Sequence, residues 1–420
     1  MSRPDADELL LDAEADVRPS PQGVAARRAL LAHPVLLLAG IVLASLNMRA
    51  ALASVSPLVG EISAAFGLSS TATSLVTSVP VLFLGVGALV APGLARRLGT
   101  ERVLLGALLL LAAGILVRVL PSVYALYGGG VLVGTAIALL NVLMPGLIKR
   151  DFPDRAASMT SVYTGAMIAG ATVVAAASVP LERAFGGSWA ASLAFWSLLA
   201  AVAAVVWLPQ VLIARGRTGH EVRAVAGRGA GRRVWRSALA WQVTLFMGLQ
   251  SLWSYVLIAW MPTIFTDQGM SRSTAGVVFA FNNLIQVAGA FLVPLLAGRM
   301  RGQRPLVVLV TSLVATGYVG LMVAPVAGAW LWAAVLGVGQ GGAVGLALTL
   351  IVLRSGDAVT ASRLSGMAQT VGYLLAAAGP LAAGAVHEAT GTWTVPIALV
   401  LGVCGAALAV GLMAARDRKV

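Results

Sequence analysis

Twelve long apolar segments restrict what this chain can fold into. Each approaches or exceeds the roughly 20 residues that an α-helix needs to cross the hydrocarbon core of a bilayer. They predict an all-α polytopic membrane protein with twelve transmembrane helices. The segments lie near residues 34–59, 71–95, 102–120, 123–148, 156–180, 188–208, 238–263, 273–298, 304–325, 328–353, 364–387 and 392–414.

The charge content supports this class. Only 11% of the 420 residues are charged, whereas soluble globular proteins carry about 25%. Residues 1–33 contain six acidic residues and lack the short apolar stretch of a cleavable signal peptide. We therefore expect residues 1–33 to form a disordered cytoplasmic tail.

The basic residues predict the orientation. If both termini are cytoplasmic, all but four of the 29 Lys and Arg residues fall in cytoplasmic loops or tails. The exceptions are Arg49, Arg118, Arg183 and Arg272. This asymmetry is the positive-inside pattern, and it predicts a multi-pass protein of the cytoplasmic membrane. Because topology accounts for the net charge of +13, we expect the lipid bilayer, and no nucleic acid, as the macromolecular environment.

A Gly/Arg-rich stretch divides the chain midway. The pattern P-x-L-A-x-R at Pro92–Arg97 recurs at Pro294–Arg299, and it indicates parallel repeats of the kind found in transporters with a midplane site. The predicted parts are an N-terminal six-helix half over 34–208, a flexible cytoplasmic linker over 209–237, a C-terminal six-helix half over 238–415 and a cytoplasmic C-terminus over 416–420.

Arg49 is the first candidate site residue. An arginine near the middle of an apolar segment costs at least about 2.5 kcal/mol on insertion scales. Every acidic residue lies at a segment end or in a loop, so no carboxylate is available at its depth. Helical spacing would place Ser45, Arg49 and Ser56 on one stripe. We expect Arg49 to bind an anion in an electropositive cavity through its planar donor fork; the alternative is a purely structural arginine.

Other polar and aromatic residues occur at mid-segment depth in both halves. They are predicted to line the same cavity, although each alone could instead form interhelical hydrogen bonds. The candidates are Asn141, Tyr163, Gln250, Trp253, Asn282, Asn283, Gln286, Gln340, Gln369 and Tyr373. Asn47 lies two positions from Arg49 and is expected to bond between helices. Gly337, Gly341 and Gly345, at every fourth position, predict close helix packing.

Several motifs resemble those of a known family. "PGLARRLGTER" is similar to the signature of the major facilitator superfamily, with Arg96 where an acid is usual. "LNMRAALASVSPL", "MPGLIKRDFPDR", "WMPTIFTDQGMS", "GVGQGGAVGLALTLIVLRS" and "LSGMAQTVGYLLAAAGP" resemble its subfamily of cyanate transporters and 2-nitroimidazole exporters, with Ala50 replacing a usual proline. The resemblance implies two pseudo-symmetric six-helix halves and a cyanate-like or nitroimidazole substrate.

These observations favour a monomeric secondary transporter that moves a small, cyanate-like anion by alternating access. The alternative is an exporter of small neutral heteroaromatics such as 2-nitroimidazoles. A channel or a membrane-embedded enzyme is less favoured. The chain has one cysteine, three scattered histidines and no catalytic or nucleotide-binding motif, so we expect no catalytic residue, metal or cofactor.

Overall fold

A computed structural model describes residues 34–68, 70–214 and 234–420, and these residues contain α-helices and no β-strand. The predicted disorder of residues 1–33 and most of the predicted linker lie outside this part of the chain. The α-helices are α1 Pro34–Ala53, α2 Val59–Phe66, α3 Ser70–Leu98, α4 Thr100–Arg118, α5 Val123–Asp151, α6 Ala156–Ala184, α7 Trp189–Phe195, α8 Ser197–Ala214, α9 Ala238–Asp267, α10 Arg272–Arg299, α11 Arg304–Val323, α12 Ala329–Leu353, α13 Ala358–Thr390 and α14 Thr394–Ala414.

Twelve spans of these described residues are long and apolar enough to cross a membrane, as predicted. The first contains α1, a 3-10 turn at Ser56–Leu58 and α2. It breaks next to Pro57, which has no backbone N–H to donate; the sequence had predicted one uninterrupted segment. The sixth contains α7 and α8 and continues to Ala214 instead of ending at residue 208.

The start of the predicted linker 209–237 is therefore helical. Pro209 lies inside α8, and a proline is tolerated in a membrane helix where neighbouring groups satisfy the freed carbonyl. The predicted end of the sixth segment at residue 208 is therefore wrong, because the helix continues through Pro209 to Ala214.

The two halves repeat the same packing. α3 packs on α5 as α10 packs on α12; α1 packs on α6 as α9 packs on α13; α4 packs on α8 as α11 packs on α14. The fourth span of each half, α5 and α12, is also the most buried of its half. This correspondence confirms two pseudo-symmetric six-helix halves.

Glycines allow α12 to approach α10 closely. A Cβ atom on Gly341 would lie 2.0 Å from the carbonyl oxygen of Gln286, and one on Gly345 would lie 2.6 Å from Pro294. The predicted packing role of the Gly337, Gly341 and Gly345 series is confirmed.

Gly341→Ala is therefore expected to lower the melting temperature, because the added methyl forces the backbones of α10 and α12 apart. Gly405→Ala in α14 is the matched control, since no atom lies within 4 Å of its new Cβ. Alanine is favoured over glycine in a helix by roughly 0.5–1 kcal/mol, so the control should be neutral or slightly stabilising. Equal melting temperatures for the two variants in detergent would contradict the packing role.

The halves meet towards the face that carries Arg96, Lys149, Arg299 and Arg354 at its helix ends, here called the basic face. Ser161 donates to the carbonyl of Phe291 across the α6–α10 contact. Thr164 donates to the carbonyl of Ala290 at 2.6 Å. α13 also packs on α3 and α5. Between the middle of the membrane and the basic face, the two halves are therefore in contact.

Candidate functional site

A cavity of about 40 Å³ lies where the two halves meet near mid-helix depth. Seven helices contribute to it, and both halves supply polar and apolar groups. No acidic residue is among its lining residues. These are Met48, Arg49, Leu52, Leu84, Ile137, Asn141, Tyr163, Met167, Met247, Gln250, Ser251, Tyr255, Val344, Leu348, Gln369 and Tyr373.

Arg49 projects from α1 into this cavity and is only half-buried. Among the described residues, its guanidinium forms no hydrogen bond or ion pair. Tyr163 and Tyr373 line the same cavity. An unpaired arginine in a cavity without a lining carboxylate makes the cavity electropositive, and its planar donors remain available to a ligand.

The polar residues near Arg49 in the sequence do not line the cavity. Asn47 points elsewhere and donates to the carbonyl of Leu199 in α8 at 3.2 Å, which confirms the expected interhelical bond. Ser45 donates to its own helix at Ile41. Ser56 follows the end of α1 at Ala53, so the predicted polar stripe does not extend to it.

Asn141 connects the two halves at the cavity wall. Its amide oxygen accepts from the Tyr163 hydroxyl at 3.3 Å, and its amide nitrogen donates to the Tyr373 hydroxyl at 3.3 Å. Its backbone carbonyl accepts from Gln369 at 2.9 Å. Tyr163 belongs to the same half as Asn141, whereas Tyr373 and Gln369 belong to the other. The group therefore forms a polar junction that both halves share.

α9 contributes a second polar group to the cavity. Gln250 donates to the hydroxyl of Ser251 at 2.8 Å, and the oxygen of the Gln250 amide is a buried acceptor without a partner in the described part of the chain. Ser251 and Tyr255 were missed by the sequence prediction. Ser251 and Tyr255 are spaced i, i+4, which places them on one helix face, and this signal was available in the sequence.

The apolar part of the lining was also not predicted. Met48, Met167 and Met247 contribute flexible thioethers, which make favourable contacts with aromatic rings. Leu52, Leu84 and other aliphatic residues complete the wall. Long apolar side chains in a membrane helix carry no sequence signal that distinguishes a cavity wall from a lipid-facing surface.

Five of the predicted site residues do not line this cavity. Trp253 is fully buried, and its carbonyl accepts from Tyr318 of α11 at 2.6 Å. The other four form a polar cluster between α10 and α12, in which Gln286 donates to Asn282, Asn283 and Gln340 at 3.1–3.3 Å. Asn282 also donates to the carbonyl of Ala333 at 2.8 Å. The single shared cavity expected from their mid-helix depth is thus divided into two groups, because depth alone does not set the direction of a side chain.

Two glutamine variants test this division. Gln369→Leu should reduce transport about tenfold and also lower the melting temperature, because Gln369 lies at the cavity and donates to the Asn141 carbonyl, which Pro145 leaves without an intrahelical donor. Gln286→Leu should mainly lower the melting temperature, since Gln340 and Asn282 lose a buried partner at a cost of about 1–3 kcal/mol. Uptake at matched expression and thermal unfolding in detergent measure both. The reverse pattern would contradict the division.

Comparison with known proteins identifies the family. The model of the Major Facilitator Superfamily matches residues 37–380. The chain is 40% identical over 388 residues to a 2-nitroimidazole transporter of Escherichia coli (strain K12), covering 92% of this chain and 97% of that protein. It is 31% identical over 358 residues to the cyanate transport protein CynX of the same organism, covering 84% and 90% respectively.

A solved structure supports the fold. The proton:xylose symporter XylE bound to 6-bromo-6-deoxy-D-glucose matches with a TM-score of 0.73 at 15% identity, covering 92% of this chain and 96% of that chain. At this identity the match concerns the fold alone. Together with the two relatives, it confirms the resemblance that the motifs indicated. The chain belongs to the major facilitator superfamily of secondary transporters, within the subfamily of cyanate and 2-nitroimidazole transporters.

Proposed function

We propose that this transporter carries a small, cyanate-like anion through the Arg49 cavity. The observation that supports this most directly is the Arg49 guanidinium, which has no partner among the described residues and faces a cavity with no lining acid. Its guanidinium offers several N–H donors to a small anion, and such charge-assisted hydrogen bonds are strong. The anion then supplies the countercharge that the protein leaves out.

The size of the cavity also favours a small solute. A cavity needs about 10–15 Å³ to hold one water molecule. The Arg49 cavity, at about 40 Å³, therefore accommodates roughly three water molecules. A linear anion such as cyanate is of this size. The larger 2-nitroimidazole would require the helices around the cavity to move apart.

A neutral nitroheterocycle is the second candidate. The 40% identical relative is named as a 2-nitroimidazole transporter, and the three methionines and three tyrosines of the lining suit an aromatic ring. In this case Arg49 would donate to the nitro group instead of pairing with a charge. The two candidates therefore differ in whether the charge of Arg49 contributes to binding.

Alternating access also requires the contacts between the two halves to open and close. The hydrogen bonds from Ser161 and Thr164 to α10 join the halves between the cavity and the basic face. At the cavity wall, Asn141 donates to Tyr373 and accepts from Gln369, both in α13. Release towards the basic face requires these bonds to break while the halves rock about the cavity. Occupancy of the cavity would be coupled to this motion, because Asn141 belongs to both the lining and the contact.

A ligand screen tests the proposed substrate class. A ligand that binds the native state raises the melting temperature by mass action. We expect cyanate to stabilise the purified protein and 2-nitroimidazole to do so less at equal concentration, and we expect saturable counterflow of cyanate in proteoliposomes. Stabilisation by 2-nitroimidazole alone would select the second candidate, and stabilisation by neither compound would contradict both.

We also propose that the basic face and both termini are cytoplasmic, since the positive-inside pattern supports this orientation. Reporter fusions after Arg97, Arg150, Arg299 and Arg354 should then all report the cytoplasm. Fusions after Gly186 and Gln268, at the opposite ends of their spans, are the controls and should report the outside. An outside signal from any of the first four positions would overturn this topology.

A further inference from the structure

A second arginine lies buried in the N-terminal half, at the end of α4. The side chain of Arg118 is 2% exposed and packs among α1, α3 and α5. Gly129 lets α5 approach the backbone of Arg118 closely, since a Cβ there would lie 2.7 Å from its backbone nitrogen, and Gly130 lies beside the Arg118 guanidinium. Burying a charge to this degree is costly, and a buried charge in a membrane protein is therefore a candidate functional residue.

The guanidinium of Arg118 forms one hydrogen bond to the described residues, and its acceptor lies in α1. Its Nη1 donates to the carbonyl of Ala51 at 3.3 Å, whereas Nε and Nη2 are buried without a partner in the described residues. None of the ion pairs between described residues includes it. The single bond therefore joins the guanidinium to the last turn of α1, which ends at Ala53.

The C-terminal end of α1 is stabilised by a positively charged hydrogen-bond donor. The last carbonyls of a helix have no intrahelical donor, and a cation there is favoured by the helix dipole. After the break, the carbonyl of Ala50 accepts from the backbone of Ser54, and that of Ala51 accepts from the Ser54 hydroxyl at 3.3 Å as well as from Arg118. Arg118 is thus the charged cap of a helix that ends in the middle of the first membrane span.

Arg49 lies two residues before Ala51, in the same turn. Each helical residue turns the side-chain direction by about 100°, so loss of this turn would move the Arg49 guanidinium away from the cavity. We propose that Arg118 is a positioning residue, which holds the end of α1 and thereby directs Arg49 at the substrate. This inference rests on the proposed role of Arg49.

The kinetic test compares Arg118→Met and Arg118→Lys with wild type, using proteoliposome uptake of cyanate and of 2-nitroimidazole. We expect Arg118→Met to raise KM about tenfold with Vmax within twofold, and Arg118→Lys to restore KM to within threefold of wild type. Arg183→Met, an exposed arginine in the last turn of α6, is the matched control and should leave KM unchanged. Arg49→Gln is measured in parallel: if it alters KM and Arg118→Met does not, only the positioning role fails.

A second measurement does not depend on the substrate. Leu52 and Leu348 both line the cavity from opposite halves, and the native Cys404 is buried, so each can be replaced by cysteine and labelled with a small thiol reagent. We expect Arg118→Met to change the labelling rate of the cysteine at position 52 at least fivefold and that at position 348 by less than twofold. Arg118→Gln replaces the methionine variant if the latter does not fold. An unchanged rate at position 52, or a fall in melting temperature with unchanged KM, would overturn the proposal.

Discussion

Arg49→Gln is expected to lose anion binding by about 100-fold or more. A charge-assisted hydrogen-bond pair to an anion is worth about 3 kcal/mol when it is removed, which corresponds to roughly that factor in affinity. Arg49 makes no hydrogen bond or ion pair within the described residues that the substitution would break. The variant should therefore fold, and removal of an uncompensated charge can even raise its melting temperature in the absence of ligand.

Arg49→Lys separates charge from geometry. Lysine keeps the positive charge but lacks the planar fork that bonds two acceptor atoms, so we expect partial binding. Ligand-induced stabilisation and uptake at matched expression measure both variants, with Arg183→Gln as an exposed control. If Arg49→Gln folds and binds cyanate with unchanged affinity, Arg49 is structural and the electropositive cavity does not recognise the substrate.

The fold was predictable because few backbone structures can span a lipid bilayer. Twelve apolar segments and the asymmetry of basic residues are properties of the sequence alone, and both follow from the cost of placing polar groups in hydrocarbon. The pseudo-symmetry was visible in the repeated P-x-L-A-x-R pattern. The break of the first span was not predicted, because Pro57 lies near the segment end at which the helix was already expected to stop.

The site was predictable in part. Arg49, Asn141 and Tyr373 meet as expected, since an unusual polar residue at mid-depth in a membrane helix requires a partner or water. The same rule could not separate Gln250, which lines the cavity, from Gln286, which bonds between α10 and α12. That distinction depends on the rotation of each helix about its axis, and rotation is set by packing against neighbours.

Arg118 shows a further limit. In the sequence it was one of four basic residues outside the positive-inside pattern, and its position at a predicted segment end suggested nothing more. Its burial becomes visible only in the structure, where Gly129 brings α5 against the end of α4. A charge at the end of a span can therefore be as deeply buried as one in its middle.

Asn141→Asp is expected to separate the two candidate substrates. Asn141 lines the cavity with Arg49, so a carboxylate at this position would stand close to a bound anion. At about 6 Å and an effective dielectric constant of about 20, the repulsion amounts to about 3 kcal/mol, or roughly 100-fold in affinity. A neutral 2-nitroimidazole does not experience this charge–charge repulsion, and its affinity should change by less than about fivefold.

Asn141→Leu is the control without a charge: it loses the hydrogen bonds to Tyr163 and Tyr373, whereas an aspartate can still accept from both hydroxyls. The effect of the charge is therefore isolated by comparing, within each variant, the change in cyanate affinity with the change in 2-nitroimidazole affinity. Both should be measured by ligand-induced stabilisation with cyanate and with 2-nitroimidazole. If the aspartate variant binds cyanate as well as the leucine variant does, the charge of the cavity does not select its ligand. If it weakens cyanate alone, the cavity recognises an anion, and the positive charge retained in the middle of the first span is the reason.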